Sequence, residues 1–224
     1  MTSMYIQRKN LNLAFKLLMI VIGTIGVLLQ LGVFEGLFKV KLFNFFTIQC
    51  NCFCVIYLTA NLVHLMKDPE NSSAAFYPLI RGMLLLGITV TMLVAHFLLG
   101  LGFSMGSSLG ISMIILHYAV PILFMLDCLL FERKGWIRKT DPLKWILLPS
   151  LYFFYAIIAA QFGNGIGINS RYPYPFMNAD TLGWGQVILN VSVLTIGFVL
   201  LGYLFYMVDR FISRFTRNKK VTLA

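Results

Sequence analysis

Residues 43–66 read FNFFTIQCNCFCVIYLTANLVHLM, and this stretch decides what kind of protein the chain is. It is long and apolar enough to cross a bilayer, which takes about 20 such residues. Yet Thr47, Gln49 and Asn51 stand near its start. A polar group without a partner in hydrocarbon costs several kcal/mol, so these side chains must meet partners inside a bundle. Asn44, Thr47, Asn51, Cys54 and Asn61 recur at helical spacing and form one polar stripe. That side of the span faces other helices or a wet cavity.

The rest of the chain agrees. Of its 224 residues, 59% are hydrophobic and 12% charged, with mean hydropathy +0.83. Soluble domains carry roughly a quarter charged residues, so a water-soluble fold is excluded. Six stretches can span a membrane, at roughly 12–34, 43–66, 79–102, 110–131, 144–162 and 185–208. The first is too long and too poor in small residues to be a removable signal peptide. The expected fold is an all-α integral membrane protein, one six-span domain over residues 1–224, without repeats or a domain boundary.

Six spans put the chain termini and the 2–3 and 4–5 loops on one side. That side collects fifteen of the eighteen Lys and Arg residues, leaving Lys39, Lys41 and Arg171 opposite. The positive-inside rule then predicts cytoplasmic termini in a cell membrane. The net charge of +10 comes from helix-end anchors on one membrane face and implies no nucleic-acid partner.

Cys50, Cys52, Cys54 and Cys128 all fall in predicted spans. Neighbours in the C-x-C-x-C run point about 200° apart on a helix, which suits neither a disulfide nor a metal centre. Packing thiols are expected, and no metal site. His64 reads as an interfacial histidine. The glycine- and serine-rich 3–4 connection, Gly102 to Gly110, reads as an outer turn, and Thr140-Asp141-Pro142 as a helix start. Pro121 lies one turn beyond His117 and should kink the fourth span there. Asp127 is about 15 Å further along the helix, and an ion pair with Arg133 or Arg81 is expected.

Thr47, His96, His117 and Asn190 each fall about 6–12 Å inside the outer boundary of their spans. A hydroxyl, two imidazoles and amides at one membrane level form a candidate site. A neutral imidazole can take the threonine proton during attack on an ester carbonyl. Asn51, Gln49 or Asn190 would orient the imidazole or donate to the oxyanion. Alternatively, a lone threonine in a spanning helix bonds its own backbone one turn back. The Arg171-Tyr172-Pro173-Tyr174-Pro175-Phe176 run reads as an extended segment across the bundle mouth, with Arg171 available for a substrate carboxylate.

Three motifs carry a resemblance: Phe46-Thr47-Ile48-Gln49-Cys50-Asn51; His117-Tyr118-Ala119-Val120-Pro121 with Asp127 and Leu129-Leu130-Phe131; and the Tyr-Pro loop with Gly183 and Asn190. Together they resemble a bacterial family of predicted six-transmembrane proteins. That family is distantly similar to the androgen-induced membrane proteins of animals, which are intramembrane threonine hydrolases of fatty acid esters of hydroxy fatty acids. The resemblance implies Thr47 as nucleophile and His117 as base, no cofactor, an acyl-ester substrate drawn from membrane lipid, and a bacterial plasma membrane. His96, Asn51, Gln49, Asn190, Arg171, Tyr172 and Tyr174 would be supporting or substrate-binding groups. Two other classes compete. One is a lipid-binding or transport protein using the same polar layer; the other is a haem electron carrier with His96 and His117 as axial ligands.

Overall fold

A computed structural model describes residues 6, 8–68, 74–100, 107–163, 165–168 and 170–221, with side chains through 215. Six helices are long and apolar enough to cross a membrane. They are α1 (Lys9–Gln30), α2 (Phe46–Lys67), α3 (Pro78–Leu98), α4 (Ser108–Phe131), α5 (Asp141–Phe162) and α6 (Ala179–Val221). The described residues contain no strand. In lipid, helices are one of the few ways for every main-chain N–H and C=O to find a partner within the protein.

The helices lie close to the spans read from sequence, with one shift at each end of the chain. α1 stops at Gln30, because Gly32 takes a left-handed conformation (φ 74°) and opens two 3-10 turns, Val33–Glu35 and Val40–Asn44. α6 begins at Ala179 and is broken at Gly183, whose φ of 74° and ψ of 154° belong to no helix. Glycine adopts that conformation without steric cost. Most of the 3–4 connection, residues 101–106, and residues 69–73 of the 2–3 loop lie outside the described residues. Ser107 caps α4, its hydroxyl accepting from the Gly110 N–H.

α1 packs against α2 and α4, α3 against α2, α4 and α5, and α6 against α3, the first turn of α5 and the turn at Pro175–Met177. Between Leu147 and Phe162, α5 makes little contact with α6. At Gly26, α1 comes so near α4 that an added Cβ would fall 2.5 Å from Ile115 Cγ2. This is the small-residue approach that membrane helices use in place of a hydrophobic driving force. The buried thiols Cys50, Cys54 and Cys128 fill the core beside Phe124, Leu86 and Trp145, and all four cysteines are free.

At the end of the bundle where α1 and α3 begin, four charged side chains are buried together. Lys16 Nζ donates to both Asp127 carboxylate oxygens at 2.8 Å. Arg81 Nη2 donates to Asp127 Oδ2, and Arg81 Nε lies 2.8 Å from Glu132 Oε1. The guanidinium also stacks 4.4 Å from the Phe124 ring centre. The expected Arg81 partner is found. Arg133 is not part of the cluster, and Lys16, read as a helix-end anchor, is drawn inside. Glu132, just past the end of α4, has its carboxyl pushed up by burial, against the pull of Arg81. Close by, Asp209 of α6 accepts the N–H groups of Gly135 and Ile137. His64 stacks on Phe76 at 4.9 Å near the same end.

Candidate functional site

The site lies at the opposite end and is assembled around one widened turn of α4. Over Ile115–Ala119 the helix takes π geometry, with Val120 N–H reaching the Ile115 carbonyl. Such single-turn bulges are rare and concentrate at functional sites. Pro121 has no N–H, so in this wider register the Leu116 carbonyl has no donor five residues on. Asn51 fills the gap: its Nδ2 donates to Leu116 O at 3.2 Å and to Thr47 O at 2.8 Å. One fully buried amide thus ties the turn bearing His117 to the turn bearing Thr47. Its own Oδ1 has no hydrogen-bond partner among the described residues.

The Thr47 hydroxyl lies 3.2 Å from His117 Nε2, although the two residues are 70 positions apart in the chain. The other ring nitrogen, Nδ1, is 3.1 Å from the Met113 carbonyl oxygen. A carbonyl can only accept, so the proton of neutral His117 resides on Nδ1, and Nε2 offers its lone pair to the threonine. The threonine is therefore not confined to its own backbone. A main-chain oxygen fixes the tautomer, which is why no orienting side chain could be read from sequence.

Both groups face a cavity of about 220 Å³ bounded by α3, α5 and α6. Its walls are mostly apolar, among them Val94, Phe153 and Phe198, with Tyr152 and Tyr174 near the dyad. Phe154, 60% exposed, also lines it. The cavity therefore reaches the lipid-facing surface where α5 and α6 diverge.

The remaining sequence candidates divide. Tyr174 lines the cavity, and its hydroxyl oxygen accepts the Phe46 N–H at 3.1 Å. Tyr172 is buried beneath the loop and accepts from Gln161 Nε2 at 2.6 Å. Gln49 donates to the Phe43 carbonyl in the connection before α2. Asn190 donates to the Phe176 carbonyl, holding the loop rather than the dyad. His96 is exposed, with Nδ1 3.1 Å from the Tyr118 hydroxyl. It lies in a second π turn, Val94–Leu98. Arg171 is paired at the surface with Asp180, at 2.6 and 3.0 Å, which holds its pKa above the usual arginine value. Tyr152, within the run Tyr152-Phe153-Phe154-Tyr155, is not among the sequence candidates. Its hydroxyl donates to the Asn44 carbonyl at 3.0 Å and seats the start of α2.

Set against models of protein families, curated proteins and solved structures, the chain matches none of them.

Proposed function

We propose that this protein is an intramembrane hydrolase of fatty-acyl esters, with Thr47 as nucleophile and His117 as general base. The observation that carries this reading is the His117 tautomer. With Nδ1–H committed to Met113, Nε2 is the nitrogen left to receive the Thr47 proton. In the first half-reaction Thr47 Oγ1 bonds to the ester carbonyl carbon while its proton passes to Nε2. The tetrahedral intermediate collapses by expelling the alkoxide, which takes that proton, and the acyl group stays on Thr47. A water molecule then gives a proton to Nε2 and attacks the acyl carbon. The carboxylic acid leaves, and Thr47 recovers its proton.

The mostly apolar cavity supports an acyl chain as the bound part of the substrate. Its volume is below the roughly 300–1,000 Å³ of sites that enclose a whole drug-sized ligand, so the rest of the molecule would stay in the bilayer. The asymmetry of basic residues supports cytoplasmic termini, and that orientation would put the cavity in the outer half of a cell membrane. A non-enzymatic lipid-binding protein is the second reading, favoured by the same apolar walls.

Labelling by a fluorophosphonate probe separates the two. Wild-type protein is expected to label, and Thr47→Ala and His117→Ala to lose labelling while keeping their thermal melts. Folded wild-type protein that does not label, together with Thr47→Ser and His117→Gln variants that are still stabilised by added lipid, puts lipid binding first.

A further inference from the structure

The dyad leaves one charge of the reaction unattended. Attack by Thr47 drives the carbonyl electron pair onto oxygen, and in an apolar cavity that oxyanion needs fixed donors. Two of the polar groups along the walls are already committed: Thr91 donates to the Ile88 carbonyl and Tyr152 to that of Asn44. Tyr174 differs. Its oxygen accepts the Phe46 N–H, and the Thr47 hydroxyl and amide meet the same oxygen. Its proton is held by no carbonyl among the described residues; the acceptors within reach are the Tyr152 oxygen, whose own proton goes to Asn44, and Thr47 Oγ1.

The ring is held on several sides. It stacks on Phe176, with centroids 5.3 Å apart and planes 4° apart, and Phe45 meets it edge-on at 5.8 Å. It also lies 6.2 Å from Tyr152. Phe46 and Thr47 open α2, whose N-cap residue Phe45 supplies no side-chain cap, so the positive end of the helix faces the Tyr174 hydroxyl.

We infer that Tyr174 is a catalytic residue, the oxyanion donor of the Thr47–His117 site. This rests on the hydrolase reading above. As the Thr47 Oγ1–carbon bond forms and the Thr47 proton moves to Nε2, the Tyr174 O–H turns to the new oxyanion. It releases that oxygen when the carbonyl re-forms and the alkoxide departs. The phenol only donates a hydrogen bond and keeps its proton. Burial pushes its pKa up to about 12, so it stays a donor at any physiological pH.

The test uses full-length protein in detergent with p-nitrophenyl octanoate as probe. Tyr174→Phe is expected to melt as wild type and to lose about 10²–10³-fold in kcat with little change in KM. Phosphonate labelling should slow in parallel. Turnover within about threefold of wild type, beside an inactive Thr47→Ala, overturns the Tyr174 role and leaves the hydrolase reading standing. A rise in KM alone makes Tyr174 a packing residue and also overturns it. An active Thr47→Ala variant removes both. Should Tyr174→Phe fail to fold, a fluorinated tyrosine at position 174 serves instead. Its more acidic phenol is expected to draw the alkaline limb of the kcat profile to lower pH, and an unmoved limb overturns the proposal.

Discussion

At Asp127, α4 carries a carboxylate enclosed by Lys16 and Arg81; ten residues earlier, about 15 Å along the axis, it carries a neutral His117 facing a neutral Thr47. Both regions place polar groups at membrane depth, but they satisfy them differently. At the charged end, opposite charges compensate one another and pin α1, α3 and α4 together. At the other end the groups are uncharged, the hydroxyl–imidazole contact is 3.2 Å long, and both residues line a cavity. Depth in the membrane therefore does not by itself mark a candidate site; a neutral pair with a cavity beside it sets this end apart from the charged cluster.

The comparison can be broken at several points. The largest effect is expected for Arg81→Met, which leaves Asp127 and Glu132 buried with too little positive charge. A loss of about 3–5 kcal/mol in stability, read as lost folded yield and a lowered melt, is the expected result. An unchanged melt would show that the cluster does not hold the bundle. Thr47→Ala is the counterpart. Ester hydrolysis should fall to background while stability moves by about 1 kcal/mol or less, since one neutral hydrogen bond is lost. If Thr47→Ala unfolds the protein, the two ends are not different in kind.

Asn51→Leu tests the link between the regions of α2 and α4. Removing the amide leaves the buried Leu116 carbonyl unpaired, at a cost of about 1–3 kcal/mol. Because the same amide holds the turn bearing His117, turnover per folded molecule should also drop. Unchanged turnover would show that the wide turn holds itself. Arg171→Ala should do least. Its ion pair with Asp180 is solvent-exposed, so neither the melt nor the KM for a neutral ester should move measurably.

The six spans were legible because bilayer thickness fixes their length and composition fixes their place. The identities of Thr47 and His117 were legible as polar residues in apolar runs. Their contact was not, because helix rotation is set by packing against neighbours. His96 shows the difference: its depth could be read from sequence, yet the structure turns it outward onto Tyr118. Pro121 announced a disturbance in α4, but not that the turn would widen or that Asn51 would repair it. Lys16 looked like a helix-end anchor because nothing local indicates that Asp127, 111 residues away, would draw it inside. The Met113 carbonyl that fixes the tautomer carries no signature in sequence.

The break at Gly183 has a mechanical consequence. On one side of it Asp180 grips Arg171, and on the other Asn190 grips the Phe176 carbonyl, so the loop bearing Tyr174 is fastened to α6 at two points. Thr47 belongs to α2, whose Phe46 N–H meets the Tyr174 hydroxyl at 3.1 Å. On the proposed reading, nucleophile and phenol are mounted on separate beams, and α6 is the one with less anchorage in the bundle. A drift of 1 Å between reacting groups can cost about 10²-fold in rate. Changes in bilayer thickness or lateral pressure that tilt the last helix would be felt first as a detuning of this alignment, before any helix unfolds.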